Sequence, residues 1–295
     1  EDGQVQGVRI SDTCGEARTA EVRARVVINA TGAWADGLRG QLDAPARIRP
    51  LRGSHLILPA WRLAVAQAVA FSHPFDGRPV FALPWEGVTL VGTTDLDHNQ
   101  PLNDEPHISP GEAAYLMAAI AHQFPACPVT LDDVIATFAG VRPVIGTGKD
   151  DPSRESREHV IWQENGLLTV TGGKLTTFRT TALQVLREVR ERLPEAAPGA
   201  DSAPVFAKPP DALPGGERLS EALRRRLLGR YGMDAPALIA AAQPGELAAI
   251  PGTQTLWAEL RWAARAEAVC HLDDLLLRRV RLGLILPQGG AALTR

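Results

Sequence analysis

The chain has 295 residues, 45% of them hydrophobic and 22% charged, with a net charge of −3. This is ordinary for a globular protein with room for two or more cores, and the small net charge gives no basis for expecting nucleic acid or an anionic membrane as a bulk partner. No run is long and apolar enough to cross a bilayer as a helix, and no secretory signal is visible.

The sequence opens on Glu1-Asp2-Gly3, runs straight into strand-like residues and reads as a piece of a longer protein. Val5 to Ile10 and Glu21 to Ile28 alternate as strands around a turn at Ser11 to Gly15. The second ends in Asn29-Ala30-Thr31-Gly32, small residues at a strand end, and Ala33 to Leu42 reads as the start of a helix. Such a strand–turn–helix element resembles the αβ edge of a nucleotide-binding domain, where strand ends face the ligand crevice. From Arg47 to Asp97, short strands broken by Gly, Pro and Asp predict an antiparallel sheet.

Ser109-Pro110-Gly111-Glu112 opens a helix through Phe124, with proline in the first turn and glutamate at the capping-box position. Gly166 to Val170 reads as a buried strand and Arg179 to Leu193 as a helix. Between them lies Thr171-Gly172-Gly173-Lys174-Leu175-Thr176-Thr177. Two glycines leave backbone N–H groups open to close approach by a ligand, and the threonines stand where a cap is needed. Lys174 is one of three lysines in a chain that otherwise uses arginine, which points to a ligand rather than a solvated turn. A Pro/Ala/Gly-rich stretch, 194–214, reads as a linker. The remainder is helical: Arg218 to Tyr231, Ala235 to Ala242, Leu256 to Cys270 and Leu272 to Leu286. Arg278, Arg279 and Arg281 fit the solvated face of the last helix, with a membrane-surface role as the alternative.

Several side chains could carry chemistry. Arg142 is pinned between Gly140 and Pro143, and Arg157 stands before a strand. A guanidinium offers a planar fork of donors for phosphate or carboxylate, so two arginines with Lys174 could hold a doubly charged anion. Arg157 could equally pair with Glu155 or Glu158 at the surface. His55, after Arg52-Gly53-Ser54, is either a structural histidine or a general base. Asp95 and Asp97 could cap a turn, and two carboxylates alone make no metal site. Cys14, Cys127 and Cys270 are far apart and outside any CxxC spacing, which reads as thiols in a reducing compartment.

Taken in order, Asn29-Ala30-Thr31-Gly32-Ala33-Trp34, Arg49-Pro50-Leu51-Arg52-Gly53-Ser54-His55, Leu83-Pro84-Trp85 and Val91-Gly92-Thr93-Thr94-Asp95 resemble the FAD-dependent glycerol-3-phosphate dehydrogenases, within the D-amino-acid-oxidase-like flavoproteins. So do Ala139-Gly140-Val141-Arg142-Pro143, Ser156-Arg157-Glu158 and Gly172-Gly173-Lys174-Leu175-Thr176-Thr177. The resemblance covers nearly the whole chain. It implies an α/β fold with α+β elements: a partial FAD-binding Rossmann-type domain (1–46, returning at 141–193), an antiparallel-sheet substrate domain (47–140) and a C-terminal helical domain (215–295). It implies oxidation of sn-glycerol 3-phosphate to dihydroxyacetone phosphate, hydride transfer to FAD and a quinone-type electron acceptor.

By the same resemblance Arg142 and Arg157 hold the phosphate, Lys174 lies near flavin and substrate, and His55 or Lys174 is the base. Ala30, Thr31, Gly32, Trp34, Gly172, Gly173, Lys174, Leu175 and Thr176 contact FAD. No metal or nucleic acid is expected. A homodimer, and a cytoplasmic location with contact at the inner face of the cell membrane, complete the expectations. The alternatives are a related FAD oxidase of another small anion, such as an amino acid, and a non-catalytic fragment. The sequence holds no G-x-G-x-x-G after a strand, so the family's pyrophosphate loop is not among these residues.

Overall fold

The computed structural model describes residues 3–15, 18–152, 155–193 and 203–291. In chain order its strands and helices are β1 (Gly7–Ser11), β2 (Thr19–Arg23), β3 (Val27–Asn29), α1 (Ala35–Arg39), β4 (Ile48–Pro59), β5 (Val69–Ser72), β6 (Pro79–Trp85), β7 (Val88–Gly92), β8 (Leu96–Asp97), α2 (Pro110–Gln123), β9 (Ala136–Ile145), β10 (Val160–Glu164), β11 (Leu167–Thr171), α3 (Phe178–Glu188), α4 (Glu221–Tyr231), α5 (Ala235–Ala241), α6 (Trp257–Ala266) and α7 (Leu282–Ile285). The expected mixture of helix and sheet is present.

The chain divides into two compact units. The first comprises Glu1–Ser54, Thr94–Ile108 and Phe138–Ser202; the second comprises His55–Thr93, Ser109–Thr137 and Ala203–Arg295. This division differs from the expected one. Residues 47–54 and 94–108 pack with the first unit, and the C-terminal helical residues pack with 55–93 and 109–137. The linker expected at 194–214 lies partly outside the described residues, at 194–202.

In the first unit, β1 and β2 form an antiparallel hairpin. The expected strand from Glu21 to Ile28 is therefore split into β2 and β3. The second sheet has the order β10–β11–β3, with β11 parallel to β3 in the register Leu167↔Val27, Leu168↔Ile28, Thr169↔Asn29. Two parallel strands end side by side, and both are followed by a glycine turn and a helix. Leu168 packs with Val185 and Val189 of the α3 segment, while Val26, Ile161, Val170 and Leu193 close the cluster. The first part of β4 pairs with β8 through Leu51↔Asp97 and Arg52↔Leu96.

In the second unit the strands run β5–β6–β7–β4, all antiparallel. Alternation in β6 puts Val80 and Ala82 inside, where neither is exposed, as expected for a sheet with one covered face. Ahead of α2, the Ser109 hydroxyl accepts the Glu112 amide proton while the Glu112 carboxylate accepts from the Ser109 amide, the reciprocal cap read from the sequence. The C-terminal helices bury Leu213, Leu219, Leu227, Ala235, Leu238, Ile239, Leu256 and Ala258 in one core.

The last expected helix, Leu272 to Leu286, is not continuous. Asp274–Arg279 forms a π-type turn, and Arg281, in the left-handed region at φ 60°, separates it from α7. Each arginine of this segment has a partner. Arg278 pairs with Asp273 at 2.9 Å, Arg279 donates to the Glu267 carbonyl at 2.7 Å, and Arg281 reaches Glu86 at 3.1 Å. Arg278 stays exposed, in keeping with the solvated reading, while Arg279 and Arg281 are partly buried. No described helix is long and apolar enough to cross a membrane, and Cys14, Cys127 and Cys270 form no disulfide.

Candidate active site

Two groups of the expected site residues are each brought together within the first unit. The first group stands at the ends of the parallel strands β3 and β11. Asn29, buried at the end of β3, ties this corner together. Its Nδ2 donates to the Ala35 carbonyl at 2.9 Å and to the Thr169 hydroxyl at 3.3 Å, while its Oδ1 accepts from the Thr31 hydroxyl at 2.7 Å. One side chain therefore fixes the turn after β3, the start of α1 and the neighbouring strand. Gly32 has φ 63°, and a side chain there would point into open space; only glycine adopts that backbone without strain. Ala30 and Thr31 are exposed, and Trp34 is 52% exposed. The Thr171 hydroxyl donates to the Gly32 carbonyl at 3.4 Å, linking the turns after the two strands.

The Gly172-Gly173 turn also has a packing basis. Both residues have positive φ, 77° and 82°. A side-chain carbon on Gly172 would lie 2.7 Å from the Glu158 carbonyl oxygen, and one on Gly173 would lie 3.2 Å from His159 Cβ. The glycines thus admit the chain's own backbone. The expected threonine cap is formed one turn early: the Thr177 hydroxyl accepts from the Lys174 amide at 3.4 Å, at the start of the Leu175–Thr177 helical turn that runs into α3. Thr177 Oγ1 donates back to the Lys174 carbonyl at 2.9 Å and braces the turn, and α3 starts without a side-chain cap. Lys174, Leu175 and Thr176 are exposed, Leu175 to 88%. Gly32 has open space on its side-chain side, and Trp34, Leu175 and Phe178 each bare apolar surface in the segments that follow the two parallel strands, side-chain chemistry that a flat ring system can use. The residues present therefore fit FAD.

The second group is built on Asp95. Its Oδ1 accepts from Arg142 Nη1 at 2.8 Å and its Oδ2 from Arg157 Nη2 at 2.7 Å. The Asp95 side chain is 9% exposed, those of Arg142 and Arg157 are 32% and 49% exposed. The carboxylate is the buried member, and the guanidiniums face outward. The turn carrying Asp95 is pinned to β4, because the Ser54 amide donates to the Thr94 hydroxyl at 2.9 Å. Asp95 is thus an arginine partner and not a turn cap. Arg157 forms no surface pair of the expected kind. Glu155 is occupied by the Thr147 hydroxyl, by the Thr147 and Lys149 amides and by Arg49. These contacts, the Thr147 hydroxyl first, hold the Glu155 carboxyl down to about 2. Asp97 likewise belongs to Arg49, which grips it through Nε and Nη2 at 2.6 and 2.8 Å and lowers its pKa.

His55 belongs to the second unit. It pairs across the sheet with Gly92, and a side-chain carbon on Gly92 would lie 2.2 Å from His55 Cδ2 and 2.7 Å from Nε2. The imidazole therefore rests on the bare α-carbon of Gly92, which packing restricts to glycine.

Sequence reasoning missed Asn29 and Asp95 as site-forming residues. Each stands inside a motif that was quoted, Asn-Ala-Thr-Gly and Gly-Thr-Thr-Asp, but the role of each depends on partners outside its motif. A parallel strand edge with two glycine turns and a separate arginine pair on a buried carboxylate fit a flavin-type oxidoreductase. The chain belongs to the FAD-dependent oxidoreductase family, whose model matches residues 1–179.

Residues 172–295 match the C-terminal domain of alpha-glycerophosphate oxidase. The chain is 31% identical over 298 residues to the aerobic glycerol-3-phosphate dehydrogenase of Staphylococcus aureus (strain USA300), covering 94% of this chain and 53% of that protein. The counterpart from strain MRSA252 gives the same figures. The chain spans about half the length of the curated relatives it matches. Among solved structures it resembles the glycerol-3-phosphate dehydrogenase from Bacillus halodurans complexed with FAD, at a TM-score of 0.78 and 27% identity, covering 97% of this chain and 59% of that one.

Proposed function

We propose that this chain serves the FAD-dependent oxidation of sn-glycerol 3-phosphate to dihydroxyacetone phosphate, with electrons passing on to a quinone-type acceptor. The observation that carries the reading is the pairing of Arg142 and Arg157 on Asp95, in a chain of this family. Two adjacent guanidiniums suit a phosphate dianion, whereas a carboxylate substrate needs only one. Arg142 and Arg157 bind the phosphate, which is remote from the reacting carbon, and that binding energy orients the alcohol. Ala30, Thr31, Gly32, Trp34, Gly172, Gly173, Leu175 and Thr176 hold the cofactor along the strand edge. FAD, when bound, supplies the hydride acceptor. The hydroxyl proton leaves to a base, for which His55 and Lys174 are the two candidates. The Lys174 cation can also stabilise alkoxide character on the substrate oxygen. The substrate-domain and FAD-domain labels expected from the resemblance are part of this proposal.

The test is direct. Adding glycerol 3-phosphate to the flavin-loaded natural protein should bleach the visible flavin absorbance. Bleaching by an amino acid, with none by glycerol 3-phosphate, would transfer the assignment to the oxidases of amino acids. Arg142→Ala should weaken substrate binding by about 2–4 kcal/mol, the scale of leaving a buried charge without its partner. An unchanged apparent affinity removes the phosphate role.

A further inference from the structure

We infer that Asp95 is the positioning residue of the anion site: it clamps Arg142 and Arg157 into one pre-formed pair and so sets the affinity for a phosphate group. The inference rests on the proposed reading that these two arginines bind phosphate.

Three segments meet at this carboxylate. Arg142 comes from β9, Arg157 from the loop before β10, and Asp95 from the turn after β7; the separations along the chain are 47 and 62 residues. Two guanidiniums brought side by side without an anion between them repel and splay apart. A single carboxylate removes that repulsion, because each of its oxygens takes one arginine. The depth of the three groups settles which is the clamp. Asp95 is nearly buried while both arginines are substantially exposed, so the carboxylate stands behind the pair and not in the ligand's position. Its backbone cannot follow a drifting arginine. The Thr94 hydroxyl accepts from the Ser54 amide at 2.9 Å, the Thr94 amide donates to the Ser54 carbonyl at 3.4 Å, and Arg142 Nη1 also approaches the Thr94 carbonyl at 3.4 Å.

The electrostatic consequence is specific. Asp95 lowers the net charge of the cluster from two positives to one, which reduces the raw attraction for an anion. It also removes the cost of ordering two long side chains when the ligand arrives. With the pair prepared in advance, a dianion that engages both forks gains more than a monoanion that engages one. Asp95→Ala frees both arginines. Asp95→Asn keeps the shape but places an amide donor against one of the two guanidiniums, so one arm is lost.

Steady-state kinetics and calorimetry test the inference together, on the flavin-loaded natural protein. Asp95→Asn and Asp95→Ala should each raise KM for glycerol 3-phosphate by about tenfold or more, with a smaller change in kcat. The Kd of inorganic phosphate should rise in parallel, a readout independent of turnover. The isosteric Asn variant keeps the test open if the Ala variant fails to fold. KM and phosphate Kd both within twofold of the parent's would overturn the inference, whatever happens to Tm. Wild-type protein that oxidises glycerol 3-phosphate and is indifferent to both substitutions sinks the clamp and leaves the function standing. Wild type that binds phosphate in an Asp95-dependent way yet leaves glycerol 3-phosphate unoxidised sinks the function and leaves the clamp.

Discussion

The clearest stability prediction concerns Glu86, at the tip of the β6–β7 hairpin. Trp85 pairs with Val88, so the loop is the two residues Glu86-Gly87, with φ of 50° and 90°. Two positive φ values define the turn type for which Asn-Gly is the favoured sequence. Glutamate is a poor choice there, since a non-glycine residue in the left-handed region costs roughly 1–2 kcal/mol and asparagine tolerates it better. The side chain explains its presence. Arg230 Nη1 and Arg281 Nη1 each approach Glu86 Oε1 to 3.1 Å, and Arg226 Nη2 lies 3.8 Å from Oε2. Arg226 and Arg230 each keep buried Glu259 as a second carboxylate partner, at 2.7 and 4.0 Å, so removing Glu86 weakens the hold on Arg230 and falls hardest on Arg281.

Breaking a fully buried ion pair by deleting one partner costs about 3–5 kcal/mol. The Arg230 and Arg281 side chains retain 18% and 38% exposure, which brings the loss to roughly 2–3 kcal/mol once solvent screening is allowed for. Asparagine returns up to about 1 kcal/mol through the better turn. Glu86→Asn should therefore destabilise the second unit by about 1–2 kcal/mol in urea unfolding, and should speed proteolysis of residues 203–291. A double-mutant cycle with Arg281→Ala should return a coupling above about 0.5 kcal/mol. The reasoning is refuted by a sign: if the carboxylate contributes nothing, Glu86→Asn stabilises the protein through the turn alone.

Other predictions follow from single contacts. Gly92→Ala places a methyl within 2.2 Å of the His55 ring; it should cost about 1–3 kcal/mol and shift the His55 ring proton resonances, and a silent spectrum would mean the ring does not lie there. Glu155 has its carboxyl depressed from 4.5 to about 2. A depressed acid contributes stability that is present above the ordinary value and lost as pH falls from about 4.5 towards about 2. The urea midpoint should drop across that window, and Glu155→Gln should flatten the drop; a parallel pH dependence in the variant contradicts the assignment.

Much of the local structure was legible in the sequence because its causes are local. The Ser109–Glu112 cap needs two side chains three residues apart, and the β6 alternation needs only one covered face. Other local readings failed where a distant group competed. Periodicity from Leu272 to Leu286 predicts one helix, but Arg281 sits in the left-handed region with its guanidinium on Glu86, 195 positions earlier. Residue pattern also placed the arginines as candidates without saying what would join them.

By itself the sequence determined the kinds of element, the glycines that positive φ demands, and the set of residues able to hold an anion or a flat cofactor. Only the tertiary structure decided which of these meet: Asn29 between two turns, Asp95 between two arginines, Glu86 among three. The physical reason is that hydrogen bonds and ion pairs act over a few ångström in space, while propensity and periodicity report on neighbours along the chain.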